Sequence, residues 1–155
     1  MRRDDDNILL SASDLMRFQG CGHATALDRR YLLGEDLQPV DDTTSAVLVQ
    51  KKGDAHEAAY LERIQKNAEP VTVIATEKLS LAEAAGQTRQ ALSQGAAHIY
   101  QAAFKSGAWG GYADFLERVE RPSKLGAFSY EVVDTKLKRS PDPKHLLQLA
   151  CTPTC

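Results

Sequence analysis

The alternation of apolar and polar positions along this chain predicts helices interleaved with strands. Ser11 and Asp14 read as a capping box in front of Leu15 and Phe18, and Gly20-Cys21-Gly22 breaks the run they open. A second helix is predicted from about His23 to Leu33, carrying Leu27 and Tyr31 and ending at Gly34. Glu35 to Thr43 is acidic, contains Pro39 and reads as a loop. From Thr44 to Lys66, Leu48, Ala55, Ala59 and Ile64 recur at helical spacing, and Val71 to Thr76 reads as a buried strand. Ser80 and Glu83 form a second capping box. It opens a helix predicted to reach about Lys105 on a stripe of Leu81, Ala84, Ala85, Leu92 and Ile99, with Gly107 as C-cap and His98 as a structural residue inside it.

Two strand patterns follow. Ala108 to Val119 holds glycines that let another backbone come close, and Ser129 to Lys138 is rich in β-branched and aromatic residues. Arg121 to Gly126 is a turn signal, so the two segments, Trp109 to Val119 and Ala127 to Lys138, are predicted to pair antiparallel. With the loop centred on Lys124, Asp114 and Asp134 lie directly opposite each other on one face. Such a pair repels itself unless something positive sits between, and a one-residue slip would separate it. Alternation along the second strand puts Asp134, Lys136 and Lys138 on one face and Val133 and Thr135 on the other. A carboxylate two residues before an ammonium suits phosphate-ester hydrolysis, the acid holding a divalent cation and the lysine steadying the attacking water or the pentavalent phosphate. The same spacing also describes an exposed edge-strand ion pair. Asp142-Pro143 then opens a short helix, Lys144 to Cys151, and Pro153 would end it.

The 155 residues suffice for one domain with a sizeable core, and 43% hydrophobic with 26% charged residues is an ordinary globular composition. A net charge of -2 excludes a global positive field, so a nucleic-acid partner needs a local patch. Lys136, Lys138, Arg139 and Lys144 offer one, although such a run also describes a plain solvated face. Cys21, Cys151 and Cys155 form neither a disulfide framework nor a zinc pattern. No apolar leader or membrane-length stretch is present, so a reduced, cytoplasmic chain without a membrane partner is expected. In the long helix Gly53 lies one turn before His56. It leaves space beside the imidazole either for an approaching group or for a helix–helix contact, and Tyr60 stands where a zincin would need a second histidine.

In order along the chain, Gly53-x-x-His56-Glu57, Gly111-Tyr112-Ala113-Asp114, Val132-Val133-Asp134-Thr135-Lys136 and Gln148-Leu149-Ala150 resemble the motifs of RecB-like nucleases in the PD-(D/E)XK superfamily. That group includes CRISPR-associated and helicase-fused exonucleases. Leu10 to Leu15 and on through Cys21 also resembles the opening of these proteins, so the likeness covers nearly the whole chain. It implies an α/β, restriction-endonuclease-like core in which a mixed sheet with a central antiparallel hairpin is flanked by helices. A helical segment at 1–43 would precede a nuclease core at 44–152 within one domain at 1–155. It implies metal ligation by His56, Asp114 and Asp134, catalysis by Lys136, a water-orienting or outer-shell role for Glu57, and Gln148 facing the substrate backbone or the site; with Gln148, the residues Lys138, Arg139 and Lys144 of the basic run are the candidates for gripping a DNA backbone. The cofactor would be Mn2+ or Mg2+, the histidine tilting the choice to manganese, and the partners DNA and a helicase, fused or separate. Two departures stand out. Thr152 occupies the place of the family's tyrosine, and no residues remain for a further strand, so the domain is expected to be incomplete at its C-terminus. Some relatives hold an iron–sulfur cluster; Cys151 and Cys155 do not supply its later ligands, and none is expected. The implied activity is metal-dependent hydrolysis of DNA phosphodiesters, and the alternative is a catalytically silent nucleic-acid-binding or interaction module derived from such a nuclease.

Overall fold

The computed structural model describes residues 1–4, 7–67, 69–137, 140 and 142–150, with Lys144 described for its backbone only. It begins with a hairpin of β1 (Arg2–Asp4) and β2 (Asn7–Leu9), with Arg2 opposite Leu9. The charged N-terminal run carries no strand signal. The hairpin nonetheless forms, and its last residue, Leu9, joins the core. Ser11 then caps α1 (Ala12–Gly20) through the capping box with Asp14, as predicted, and α2 (Gly22–Leu32) ends two residues before Gly34, whose φ of +92° suits glycine. The helix α3 (Thr44–Lys66) has the predicted bounds and Thr43 as its N-cap.

Beyond β3 (Val71–Val73) and a 3-10 turn at Thr76–Lys78, Ser80 and Glu83 form the second capping box at the start of α4 (Leu81–Ser93). Here the structure corrects the predicted long helix. α4 stops at Ser93, because Gly95 takes φ +70° and its amide bonds Leu92 O while that of Ala96 bonds Ala91 O. These two bonds make a Schellman stop. The segment predicted to continue the helix is instead the strand β4 (His98–Ser106), and Gly107, at φ +54°, turns the chain into β5 (Trp109–Val119). His98 therefore starts a strand, its ring close to Glu69 and 3.9 Å from Glu117.

Two more strands fall short of their predicted spans. β3 covers three residues with Thr72 and Val73 exposed, so Ile74 alone of that run is buried. The last strand, β6 (Ser129–Val133), stops before Asp134, and α5 (Pro143–Ala150) starts at the proline as predicted. The sheet order is β3-β4-β5-β6, with β3 parallel to β4 and the other pairs antiparallel. The β5–β6 hairpin thus lies at one side of this mixed sheet, and β4–β5 occupies its middle.

The core lies between α4 and the sheet. Ala84, Ala85 and Leu92 are buried with Ile99, Ala103 and Leu116. The alanines let the helix axis come close enough for Thr88 Oγ1 to accept from the Ala103 amide at 2.9 Å while donating to Ala84 O at 2.9 Å, which ties helix to strand. Phe115 is fully buried, with Tyr60 of α3 at a 4.8 Å centroid distance and Tyr100 at 5.0 Å. Among the described residues no helix is long and apolar enough to cross a membrane.

Candidate functional site

The register of β5 and β6 decides whether the two aspartates meet. Val119 pairs with Ser129, Leu116 with Val132 and Phe115 with Val133. One further step places Asp114 across from Asp134, as a loop centred on Lys124 requires. The ladder itself ends there, and the Thr135 amide donates instead to Asp114 Oδ2 at 3.1 Å, with the Thr135 hydroxyl at 3.4 Å. A side chain has taken the place of a main-chain partner, which is why β6 is shorter than its residues predict. Asp134, with only 9% of its side chain exposed, holds Lys136 Nζ at 2.8 Å from Oδ2.

Burial, followed by the hydrogen bond and charge of Asp134, raises the Asp114 carboxyl to about 7; the Thr135 amide pulls the other way and Glu57 adds a small push upward. Below about pH 7 the Asp114 carboxyl therefore keeps its proton. The place that proton occupies is where a cation would relieve the same repulsion.

A second set of groups reaches the pair from β4 and α3. Tyr100 pairs with Phe115 and Ala102 with Ala113, leaving Gln101 unpaired directly across from Asp114. Gln101 has φ +57°, the one positive value outside glycine among the described residues. Left-handed backbone at a non-glycine residue costs on the order of 1–3 kcal/mol and tends to mark functional sites. Neighbouring side chains on a regular strand point to opposite faces, yet here Gln101 Nε2 donates to Glu57 Oε1 and Tyr100 hydrogen-bonds the same carboxylate. Burial and then that bond push the Tyr100 hydroxyl above its ordinary value. Two residues of β4 thus hold the Glu57 carboxylate, whose charge adds the smallest push at Asp114.

His56 is placed differently from the expectation that it completes a ligand set. It is exposed, and a Cβ added at Gly53 would meet no atom within 4 Å, so the open space beside the imidazole faces solvent. Among the described residues no three His, Cys, Asp or Glu side chains gather into a group that could hold a metal ion. Lys138 and Arg139, like Cys151, Thr152, Pro153 and Cys155, lie outside the described residues; Lys144 is on α5, its side chain likewise outside them. Gln148 of α5 lines the same cavity as Asp114, a space of about 430 Å³ that extends to Ser13, Asp14, Trp109 and Tyr112.

Magnesium commonly binds through one or two carboxylates, completing its shell with waters and substrate phosphate. Two opposed aspartates fit that donor set, and without a gathered histidine the preference for manganese loses its basis. Gln101 and Tyr100 escape a reading of the sequence, because Ala96 to Lys105 has helical spacing and nothing in it marks a strained strand residue; the contact of Thr135 with Asp114 departs from the predicted alternation because β6 ends at Val133. Comparison with models of known families, with curated proteins and with solved structures gives no significant match to this chain.

Proposed function

We propose that the chain is a metal-dependent phosphodiesterase acting on DNA, built on a restriction-endonuclease-like variant of its mixed α/β fold. The observation that carries this reading is the Asp114–Asp134 pair, opposed on adjacent strands with Lys136 on the second acid. A sheet arranged for stability alone gains nothing from two facing carboxylates. Asp114 and Asp134 would hold a magnesium or manganese ion, which when bound supplies Lewis-acid polarisation of the phosphoryl oxygen and a more acidic water. Lys136, anchored by Asp134, stabilises negative charge developing on the phosphate. Glu57, fixed by Gln101 and Tyr100, orients the attacking water.

The test is degradation of single- and double-stranded DNA with EDTA, magnesium or manganese, using Lys136→Ala as control. Cleavage should need the metal, and Lys136→Ala should lower turnover on the order of 10²–10³-fold while keeping metal affinity. Its charge acts in the transition state rather than in capturing the ion. The silent nucleic-acid-binding module is favoured by one observation, the solvent-facing His56, which leaves two carboxylates without a third protein ligand. DNA binding with no cleavage under any metal would select it.

A further inference from the structure

The N-terminal hairpin carries a cation to the cavity beside Asp114. Arg2 lies opposite Leu9, and directly opposed residues project from the same face, so Arg2 leaves the hairpin on the side that Leu9 buries in the core. Asp4, two residues on and on that same face, binds Lys105 of β4. The Leu10 amide donates to Ala108 O at 2.8 Å and the Gly110 amide to Leu10 O at 2.8 Å, which laces the chain after β2 to β5. In this anchored hairpin the Arg2 guanidinium lies 5.4 Å from the centre of the Tyr112 ring. Tyr112 stands two residues before Asp114 on β5, so both leave the same face of the strand. Arg2, Tyr112 and Asp114 line one cavity.

The charges around this cavity are unevenly matched. Asp14 is already bonded by the Met1 amino group and by the Ser11 hydroxyl, the latter at 2.6 Å. Arg17, Arg30, Arg118 and Arg121 each hold a carboxylate, whereas Arg2 has none within 4.0 Å among the described residues. A ring face attracts a guanidinium without using its hydrogen-bond donors, and the planar fork of N–H groups matches the oxygens of a phosphate.

We infer that Arg2, positioned by Tyr112, grips across this cavity a second phosphate of the strand whose scissile phosphate lies at Asp114 and Asp134. The inference rests on the nucleic-acid reading above and deepens it, because it makes a chain of at least two phosphates the preferred substrate.

The full chain, Arg2→Gln and Arg2→Lys are titrated by anisotropy with labelled oligothymidylate in EDTA over a range of salt concentrations. Arg2→Gln should weaken binding about tenfold and reduce the slope of log affinity against log salt by about 0.7, the share of one phosphate on a single strand. Arg2→Lys keeps the charge and loses the fork, so it should keep the slope and recover only part of the affinity. Arg2 is half-buried and outside the core, so both variants should keep the parent's melting curve. A purely structural arginine would not set the slope. An unchanged slope in Arg2→Gln, whatever its affinity, would overturn the inference, and so would loss of the slope in Arg2→Lys. Failure of the parent to bind would remove the nucleic-acid reading with it. No cleavage enters this titration. A slope that depends on Arg2 without hydrolysis in the nuclease assay keeps the phosphate grip and removes the nuclease, whereas hydrolysis with an unchanged slope does the reverse.

Discussion

α4 and α3 are both read from the sequence as amphipathic helices, and the fold uses them in different ways. Six of the thirteen residues of α4 are buried, and its alanines and Thr88 lock it to β4. α3 is 23 residues long and buries Ile64 alone, while Val47, Leu48 and Val49 near its start are exposed. What holds α3 lies toward its C-terminal end: Tyr60 against Phe115, the Tyr60 hydroxyl on Glu117 at 2.7 Å, and Glu57 against Gln101. Stability therefore resides between α4 and the sheet, while α3 is seated only by its C-terminal half, where Tyr60 meets Phe115 and Glu57 meets Gln101. An apolar stripe reports that a helix can be buried; it does not say how much of it is.

This contrast can be broken most forcefully at Phe115, where the two regions meet. Phe115→Ala removes a fully buried ring touching both α3 and β4, and should cost about 3–5 kcal/mol in urea unfolding. A loss below 1 kcal/mol would mean that α3 is not seated on the sheet as described.

Next in size is the aspartate pair itself. The folded chain keeps the Asp114 proton to about pH 7, where the ordinary value is 3.8. The stability this proton contributes is fully present below the ordinary value and is lost as pH rises through the folded one. Without metal, stability should fall between about pH 4 and 7 for this reason. Asp114→Asn should remove that slope and exceed the parent by about 1–2 kcal/mol at pH 8, allowing for a partly exposed carboxyl. Parallel denaturation curves for the two proteins across pH would contradict the assignment.

Smaller effects separate the two ends of α3. Tyr60→Phe deletes the hydroxyl bonded to Glu117 and should cost about 1 kcal/mol. Leu48→Ala, on the exposed stretch, should stay within about 0.5 kcal/mol by the same denaturation measurement. A larger loss at Leu48 than at Tyr60 would invert this picture of α3.

The parts of this structure legible in the sequence are those fixed by local chemistry. The capping boxes at Ser11 and Ser80 announce their helices, because side chain and backbone satisfy each other within four residues. The register of β5 and β6 follows from strand alternation around one short loop, and with it the meeting of Asp114 and Asp134. β4 was not legible. Its alanines and spacing suit a helix, and only pairing on both sides, with β3 and β5, makes it a strand. Because Gln101 sits in that strand, the clamp on Glu57 was hidden as well. His56 was misplaced for a related reason: helical spacing fixes which residues share a face, but not which face turns to the sheet.

The central claim, that Asp114 and Asp134 form a cation site held by a proton when no metal is bound, can be tested by calorimetric titration with magnesium and with manganese near pH 6.5 in buffers of different ionisation enthalpy. Binding should release on the order of one proton per ion, and Asp114→Asn should lose both the release and most of the affinity. Metal binding without proton release, or with unchanged affinity in Asp114→Asn, would contradict the account.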